Sequence, residues 1–168
     1  MKVLIIIPAY NEQENIINTV SKVLDYKTEC DFQLDYVVIN DGSKDNTYDI
    51  CRKNNIRCVN LIQNLGIGGA VQTGYKLANM QDYDIAIQFD GDGQHDINSL
   101  KSLIAPIVNG TADFTVGSRF IGDGVSFQST AMRRFGIKIL SFTLKLFAKV
   151  NISDCTSGYR AASREVLK

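Results

Sequence analysis

A chain of 168 residues, 45% of them hydrophobic, is long enough for one domain with a core of its own. Its four cysteines lie far apart without C-x-x-C spacing and there is one histidine, so neither a zinc site nor a redox pair is indicated, and buried thiols in a reducing compartment are expected. Net charge is zero, but residues 1–129 hold ten basic and sixteen acidic residues and residues 130–168 hold eight and two, which suggests two surfaces with different partners. No nucleic-acid partner is expected.

The first apolar run, residues 3–7, stops at Pro8 with no small-residue cleavage site behind it. It fits neither a signal peptide nor a membrane span, so we expect the chain to begin in the cytoplasm. The run is β-branched, as in a strand buried on both faces, and apolar residues then recur at helical spacing over 16–24. The start of the chain is thus predicted to be strand, loop and helix.

The same alternation continues, with strands predicted at 36–39, 58–62, 85–89 and 114–117 and helices at 47–53, 69–80 and 98–108. This order predicts an α/β domain with a mainly parallel sheet. Ligands of such sheets bind beyond the carboxyl ends of the strands. Four polar loops follow strands in this way, namely PAYNE, NDGS, NLGIGGA and DGDGQHD, and we predict that they converge on one site.

Asp90 and Asp92 flank Gly91 directly after an apolar strand. Two carboxylates so close repel each other unless a cation lies between them, and hard oxygen ligands beside phosphate suit Mg²⁺ or Mn²⁺. The glycines at 91 and 93 allow a tight turn, so that a diphosphate can complete the metal's shell. The alternative to a metal site is that these residues form only a structural turn, rich in acidic residues and glycine.

Asp41 ends the second predicted strand, where a carboxylate can accept hydrogen bonds from a base or a ribose. Asp45 is predicted to cap the following helix. Ser43 is expected to stabilise the turn rather than act as a nucleophile, because no histidine lies near it in sequence.

The glycines of NLGIGGA can open a helix on an anion, and their spacing is similar to the dinucleotide fingerprint. That fingerprint belongs to the first strand-helix turn, which here is PAYNE and lacks glycine, so a nicotinamide or flavin cofactor is not supported. Close packing of the helix against the sheet explains Gly74 equally well.

Six segments in chain order carry a resemblance: PAYNE (8–12), NDGS (40–43), NLGIGGA (64–70), FDGDGQHD (89–96), GSRF (117–120) and TSGYR (156–160). They resemble the family 2 glycosyltransferases, in particular the branch of dolichyl- and polyprenyl-phosphate sugar synthases. The resemblance implies a GT-A fold with three α/β/α layers, a nucleotide-diphosphate sugar donor, a divalent metal at the DXD-type motif and inversion at the anomeric carbon. The resemblance does not identify which sugar is transferred, which base the nucleotide carries or which acceptor receives the sugar.

The same resemblance implies roles for single residues. The residues that would bind the donor are Pro8, Tyr10, Glu12, Asp41, Gly68, Asp90 and Gln94. The metal ligands would be Asp90, Asp92 and Gln94, and phosphate would be bound by Arg119 and by one of Arg133 or Arg134. The residues implied in catalysis are Asp92, Arg119 and Asp154. Asp154 is the candidate for catalytic positioning or general base, although a lipid-phosphate acceptor is already ionised and needs no strong base. Electrostatic stabilisation of the transition state by the metal and the arginines would then be the main contribution to catalysis.

The roles of two further residues in these motifs are not assigned by the resemblance. Relatives often carry two acids where this chain has Asn40 and Asp41, so Asn40 is a departure that removes one charge near the nucleoside. His95 is expected to be a loop residue beside the metal site.

Residues 133–150 predict a basic amphipathic helix, with Arg134, Lys138, Lys145 and Lys149 in one stripe. It can lie in the interface of an anionic membrane, which would place the protein peripherally at the inner face. The alternative is packing on the protein's own sheet or on a second subunit of a homo-oligomer.

We expect residues 1–168 to form a single catalytic domain, and the chain to end within a helix that relatives extend, so that part of the acceptor site is missing. Three functions remain: transfer of a hexose from a GDP- or UDP-sugar to a polyprenyl phosphate, transfer to a lipid or saccharide hydroxyl, and a non-catalytic nucleotide-sugar-binding module. The hydroxyl acceptor would require a true general base.

Overall fold

The structure, a computed structural model, describes residues 1–91, 95–117 and 157–168. The five strands and four helices predicted between residues 3 and 117 are present within a few residues of their predicted bounds. The predicted C-terminal helix is also present, and there is one further strand that the sequence did not predict. In chain order the elements are β1 (Lys2–Ala9), α1 (Ile16–Lys27), β2 (Gln33–Asn40), α2 (Thr47–Lys53), β3 (Cys58–Asn60), α3 (Gly66–Met80), β4 (Ile85–Gln88), a 3₁₀ turn (Ile97–Ser99), α4 (Leu100–Val108), β5 (Phe114–Val116), β6 (Arg160–Ser163) and α5 (Arg164–Leu167).

The strands form one sheet in the order β3-β2-β1-β4-β6-β5. The pairs among β3, β2, β1 and β4 are parallel, whereas β6 runs antiparallel to both β4 and β5. The predicted mainly parallel sheet is therefore confirmed, but the sequence did not predict β6. Its four residues, RAAS, include no β-branched or aromatic side chain, so the local signal for a strand is weak.

The core lies on both faces of β1, because successive side chains of a strand point to opposite faces. Val3, Ile5 and Ile7 belong to a buried cluster that includes residues of α1, α2 and α4. Leu4 and Ile6 belong to a second cluster with residues of α3, against which Leu167 of α5 also packs. The result is a three-layer α/β/α domain whose central strand is buried on both sides.

Helix α3 lies very close to the sheet at Gly74. A Cβ atom at this position would stand 2.8 Å from Ile6 Cγ1 and 2.9 Å from Ile6 Cδ1. Packing therefore accounts for Gly74, which is one of the two explanations that the sequence left open.

No helix within the described ranges is long and apolar enough to cross a membrane. The predicted amphipathic helix at 133–150 lies outside the described residues.

Candidate active site

A cavity of about 460 Å³ opens beyond the carboxyl ends of β1, β2 and β4. Each of the four polar loops contributes to its wall, so the structure brings together what the sequence placed in four separate segments. The lining residues are Pro8, Ala9, Tyr10, Glu12, Asp41, Asn64, Gly66, Ile67, Ala70, Asp90 and Gly91. The volume lies in the range of sites for small molecules and cofactors.

Pro8 stands near the end of the central strand without weakening the sheet. β1 pairs with β4 only from Val3 to Ile6, so Pro8 lies beyond that pairing and its missing N–H costs no hydrogen bond of that ladder. The backbone of Gly91 packs closely on this end of β1, because a Cβ at 91 would lie 2.9 Å from the Pro8 carbonyl oxygen. Tyr10 follows at the rim, with 41% of its surface exposed.

Asp41 is buried and ties β2 to the glycine loop. Its Oδ1 accepts a hydrogen bond of 2.7 Å from the Leu65 backbone N–H, and its own N–H donates to the Ala9 carbonyl at 2.9 Å. The next residue, Gly42, has φ +63, and a Cβ there would lie 2.7 Å from the Asn64 nitrogen. Asp41 therefore shapes the loop that precedes α3 while it also lines the cavity.

Asn40 is buried, and both its Nδ2 and its Oδ1 form hydrogen bonds within the protein. Its Nδ2 donates to Asn60 Oδ1 and its Oδ1 accepts from Ser43 Oγ, whose own oxygen accepts the Asn11 N–H at 3.0 Å. A carboxylate could not donate to Asn60 Oδ1, so an aspartate at position 40 would keep this contact only if the Asn60 amide turned over to donate instead. Asn40 does not line the cavity, and Ser43 stabilises the turn as the sequence predicted.

Asp45 holds the start of α2 and the PAYNE loop, although the N-cap residue of α2 is Asn46 rather than the predicted Asp45. It accepts hydrogen bonds from the backbone N–H groups of Thr47 at 3.0 Å and Gln13 at 3.1 Å, while Thr47 Oγ1 accepts the Glu12 N–H at 2.8 Å. Burial alone would raise the pKa of Asp45, but the bonds from Thr47 and Gln13 together bring this pKa below its usual value. Glu12 is fixed at the cavity wall by these contacts.

Asp90 follows β4 and faces the cavity with two hydrogen bonds to its carboxylate. Gln88 Nε2 donates to Oδ1 at 3.0 Å, and the imidazole of His95 lies 3.0 Å from Oδ2. Burial would raise the pKa of Asp90, yet the hydrogen bonds from His95 and Gln88 and the positive charge of Arg160 lower it. The group is therefore held as a carboxylate at the mouth of the site.

A second cavity of about 370 Å³ lies against the other side of Asp90. Its wall includes Gly68 in the first turn of α3, and Arg160, whose Nε donates to the Ser157 carbonyl at 2.8 Å. The remaining lining residues are Ile67, Val71, Gln72, Tyr75, Gln88, Ser157 and Gly158. Sequence reasoning assigned no role to Arg160 or Gly158, although the TSGYR motif that contains them was itself the signal.

The predicted metal set is only partly described. Asp90 provides one carboxylate at the cavity, and Asp92 and Gln94 lie outside the described residues, as do Arg119, Arg133, Arg134 and Asp154. Within residues 1–91, 95–117 and 157–168, no three histidine, cysteine or acidic side chains cluster as a metal site. An ionised aspartate is nevertheless the type of ligand that Mg²⁺ and Mn²⁺ prefer, so the residue present fits the predicted ion.

The chain is similar to several known proteins over nearly its whole length. The UDP-N-acetylglucosamine–dolichyl-phosphate N-acetylglucosaminyltransferase of Methanococcus voltae is 34% identical, over 98% of this chain and 70% of that protein. The undecaprenyl-phosphate mannosyltransferase of Micrococcus luteus is 29% identical, over the whole chain and 69% of that protein.

Among solved structures, glucosyl-3-phosphoglycerate synthase of Mycobacterium tuberculosis, in complex with Mn²⁺, UDP-glucose and phosphoglyceric acid, superposes with a TM-score of 0.70 at 20% identity. The match covers 98% of this chain, which spans 57% of the length of that structure. Residues 4–168 match the sequence profile of Glycosyl transferase family 2. The chain therefore belongs to family 2 of the glycosyltransferases, and its fold is the GT-A fold.

Proposed function

We propose that this chain transfers a hexose from a GDP- or UDP-sugar to a polyprenyl or dolichyl phosphate, with inversion at the anomeric carbon. The observation that carries the proposal is the cavity in which Asp41, Asp90 and the start of α3 meet. The Methanococcus voltae and Micrococcus luteus relatives are named for transfer to dolichyl and undecaprenyl phosphate, which supports a lipid phosphate as the acceptor.

The donor nucleoside would occupy the 460 Å³ cavity. Tyr10 offers an aromatic ring at the rim, and Pro8 and Glu12 form the wall below it. Asp41 would accept hydrogen bonds from the base or ribose, since each carboxylate oxygen has two lone pairs and Leu65 uses only one of those on Oδ1. The diphosphate would then lie toward Asp90 and the N-terminus of α3, where backbone N–H groups favour anions.

Asp90, Asp92 and Gln94 would hold Mg²⁺ or Mn²⁺. Such an ion neutralises the charge of a departing nucleoside diphosphate. The Mycobacterium tuberculosis synthase was crystallised in complex with Mn²⁺ and UDP-glucose, which supports this part of the proposal. The chain's own contribution is an ionised Asp90 whose two oxygens are already oriented by Gln88 and His95.

The acceptor phosphate would approach from the side of the second cavity. Arg160 places a positive charge on that wall, beside Asp90, and Arg119 with Arg133 or Arg134 would add guanidinium groups that match phosphate oxygens. An oxygen of the lipid phosphate would form a bond to the anomeric carbon while the bond from that carbon to the diphosphate breaks. The nucleophile is already ionised, so Asp154 would position groups rather than remove a proton.

The test is calorimetric binding of GDP- and UDP-sugars to this chain, with and without Mn²⁺. We expect one nucleotide class to bind only with Mn²⁺, and Asp92→Ala to lose that binding. Binding that is unchanged in Asp92→Ala, or that needs no metal, would contradict the assignment of the metal site. Transfer of the labelled sugar to a polyprenyl phosphate then tests the acceptor, with a long-chain alcohol as the matched control that lacks the phosphate.

A further inference from the structure

His95 connects the Asp90 carboxylate to the hydrophobic core. A carboxylate only accepts hydrogen bonds, so His95 Nε2 donates to Asp90 Oδ2 at 3.0 Å. The imidazole stacks on Tyr159 with ring centroids 5.0 Å apart and 18° between the planes. Phe89 contacts both rings edge-on, each at 5.7 Å. Because Phe89 and Tyr159 are core residues, packing fixes the plane of the imidazole.

Asp90 is confined on three sides as a result. Gln88 donates to one oxygen and His95 to the other, so rotation of the carboxylate would break both bonds. Behind it lies Gly158, where even a Cβ would stand only 2.6 Å from Asp90 Cγ. Each oxygen still has a second lone pair, and these remaining lone pairs have a fixed direction. The contacts that set this direction come from the strand before Asp90, the loop after it and the distant TSGYR segment.

We propose that His95 is a positioning residue, which orients Asp90 for the metal and diphosphate through its Nε2–H and is itself oriented by Tyr159. The inference rests on the proposed function, in which Asp90 binds the metal. Partners that donate to a ligating carboxylate set the affinity of a metal site, and their loss typically costs about 10- to 100-fold. His95 thus acts on the metal without touching it.

Two variants separate the hydrogen bond from the packing of the ring. His95→Phe keeps an aromatic ring between Phe89 and Tyr159 but removes the donor. His95→Gln keeps an N–H donor of similar reach but removes the ring. The binding of Mn²⁺ to the intact chain is measured by electron paramagnetic resonance with UDP and with GDP, and thermal unfolding is measured on the same samples.

We expect His95→Phe to weaken Mn²⁺ binding about tenfold or more while the variant remains folded. We expect His95→Gln to retain most of the Mn²⁺ affinity and to melt at a lower temperature, because it loses the stacking contact. If the ring served packing alone, the order for Mn²⁺ affinity would be reversed, with the phenylalanine variant binding like the wild type; that result would overturn the inference.

A third measurement distinguishes positioning from direct ligation. Pulsed resonance should show no nitrogen bonded to Mn²⁺ in the wild type, and a directly coordinated imidazole nitrogen would refute the positioning role. If the wild-type chain bound no Mn²⁺ with either nucleotide, the proposed function would fail, and the inference with it. Wild-type binding that is unaffected in His95→Phe would overturn the inference alone and leave the proposed function intact.

Discussion

Replacing Gly158 by alanine tests how tightly the carboxylate of Asp90 is enclosed. The new Cβ would lie 2.6 Å from Asp90 Cγ and 2.7 Å from Oδ1, whereas ordinary contacts begin at 3.4 Å. The closest atom is Asp90 Oδ2, the oxygen bonded to His95, so either the carboxylate or the backbone at 157–159 must move by roughly 1 Å or more, since repulsion rises steeply at such distances. Neither oxygen of Asp90 can follow this shift without lengthening its bond to Gln88 or to His95.

A displacement of this size should affect binding more than folding. Misplacement by about 1 Å costs about 100-fold where geometry decides the rate, so we expect the affinity for Mn²⁺ with nucleotide, and any transfer activity, to fall by about 10- to 100-fold. Overpacking should cost about 1–3 kcal/mol of unfolding free energy. Calorimetry of Mn²⁺ and UDP or GDP, with urea denaturation in parallel, measures both effects.

Gly74→Ala is the matched control, because it also forces a Cβ into a filled space, but against Ile6 in the core. It should lose a similar free energy of unfolding and, while folded, bind Mn²⁺ and nucleotide like the wild type. Wild-type affinity in Gly158→Ala, or an equal loss of binding in the two variants, would refute a role for the enclosure of Asp90 in binding.

Three further changes have defined outcomes. Asn40→Asp removes the donor to Asn60 and buries a charge, so urea denaturation should show a loss of about 1–3 kcal/mol, and an unchanged midpoint would contradict the network. The pKa of Asp45 is lowered in the folded state, so its carboxylate stabilises the fold above the usual aspartate pKa of 3.8 and this contribution is lost as pH falls through the folded-state pKa. Asp45→Asn should therefore be less stable than the wild type near neutral pH and approach the wild-type stability in acid. A difference in unfolding free energy that does not change with pH would refute the stabilising role of the Asp45 carboxylate. The basic stripe proposed within 133–150 should retain the chain on anionic vesicles in flotation and release it at high salt, and no retention would remove the membrane hypothesis.

The sequence predicted the elements whose signal is local. The β-branched run of β1 and the helical spacing in α1 are visible within short windows, and the loops after β1, β2 and β4 follow from strand direction. The turn role predicted for Ser43 is also confirmed, and Asp45 binds the first N–H of α2 although the N-cap is Asn46, because such contacts depend on neighbours in sequence.

What the sequence missed depends on contacts between distant segments. β6 is a strand because β4 and β5 pair with it on both sides, not because Ala161 and Ala162 favour that conformation. The position of Gly158 behind Asp90 follows from the same pairing, which sets Arg160 opposite Gln88. His95 was expected only as a loop residue, since its stacking on Tyr159 joins segments that are far apart in the chain.

The antiparallel β6 also determines the order in which this sheet can be completed during synthesis. β4 and β5 do not pair with each other, because β6 lies between them. β6 leaves the ribosome about seventy residues after β4, so its pairing with β4 is a late, non-local contact. Until then one edge of β4 is open, with Ile85, Ala86 and Ile87 unpaired on that side. A nascent chain, or one truncated before Arg160, would carry an apolar sheet edge that can pair with other chains, so chaperone demand and aggregation should peak just before the last residues of β6 emerge.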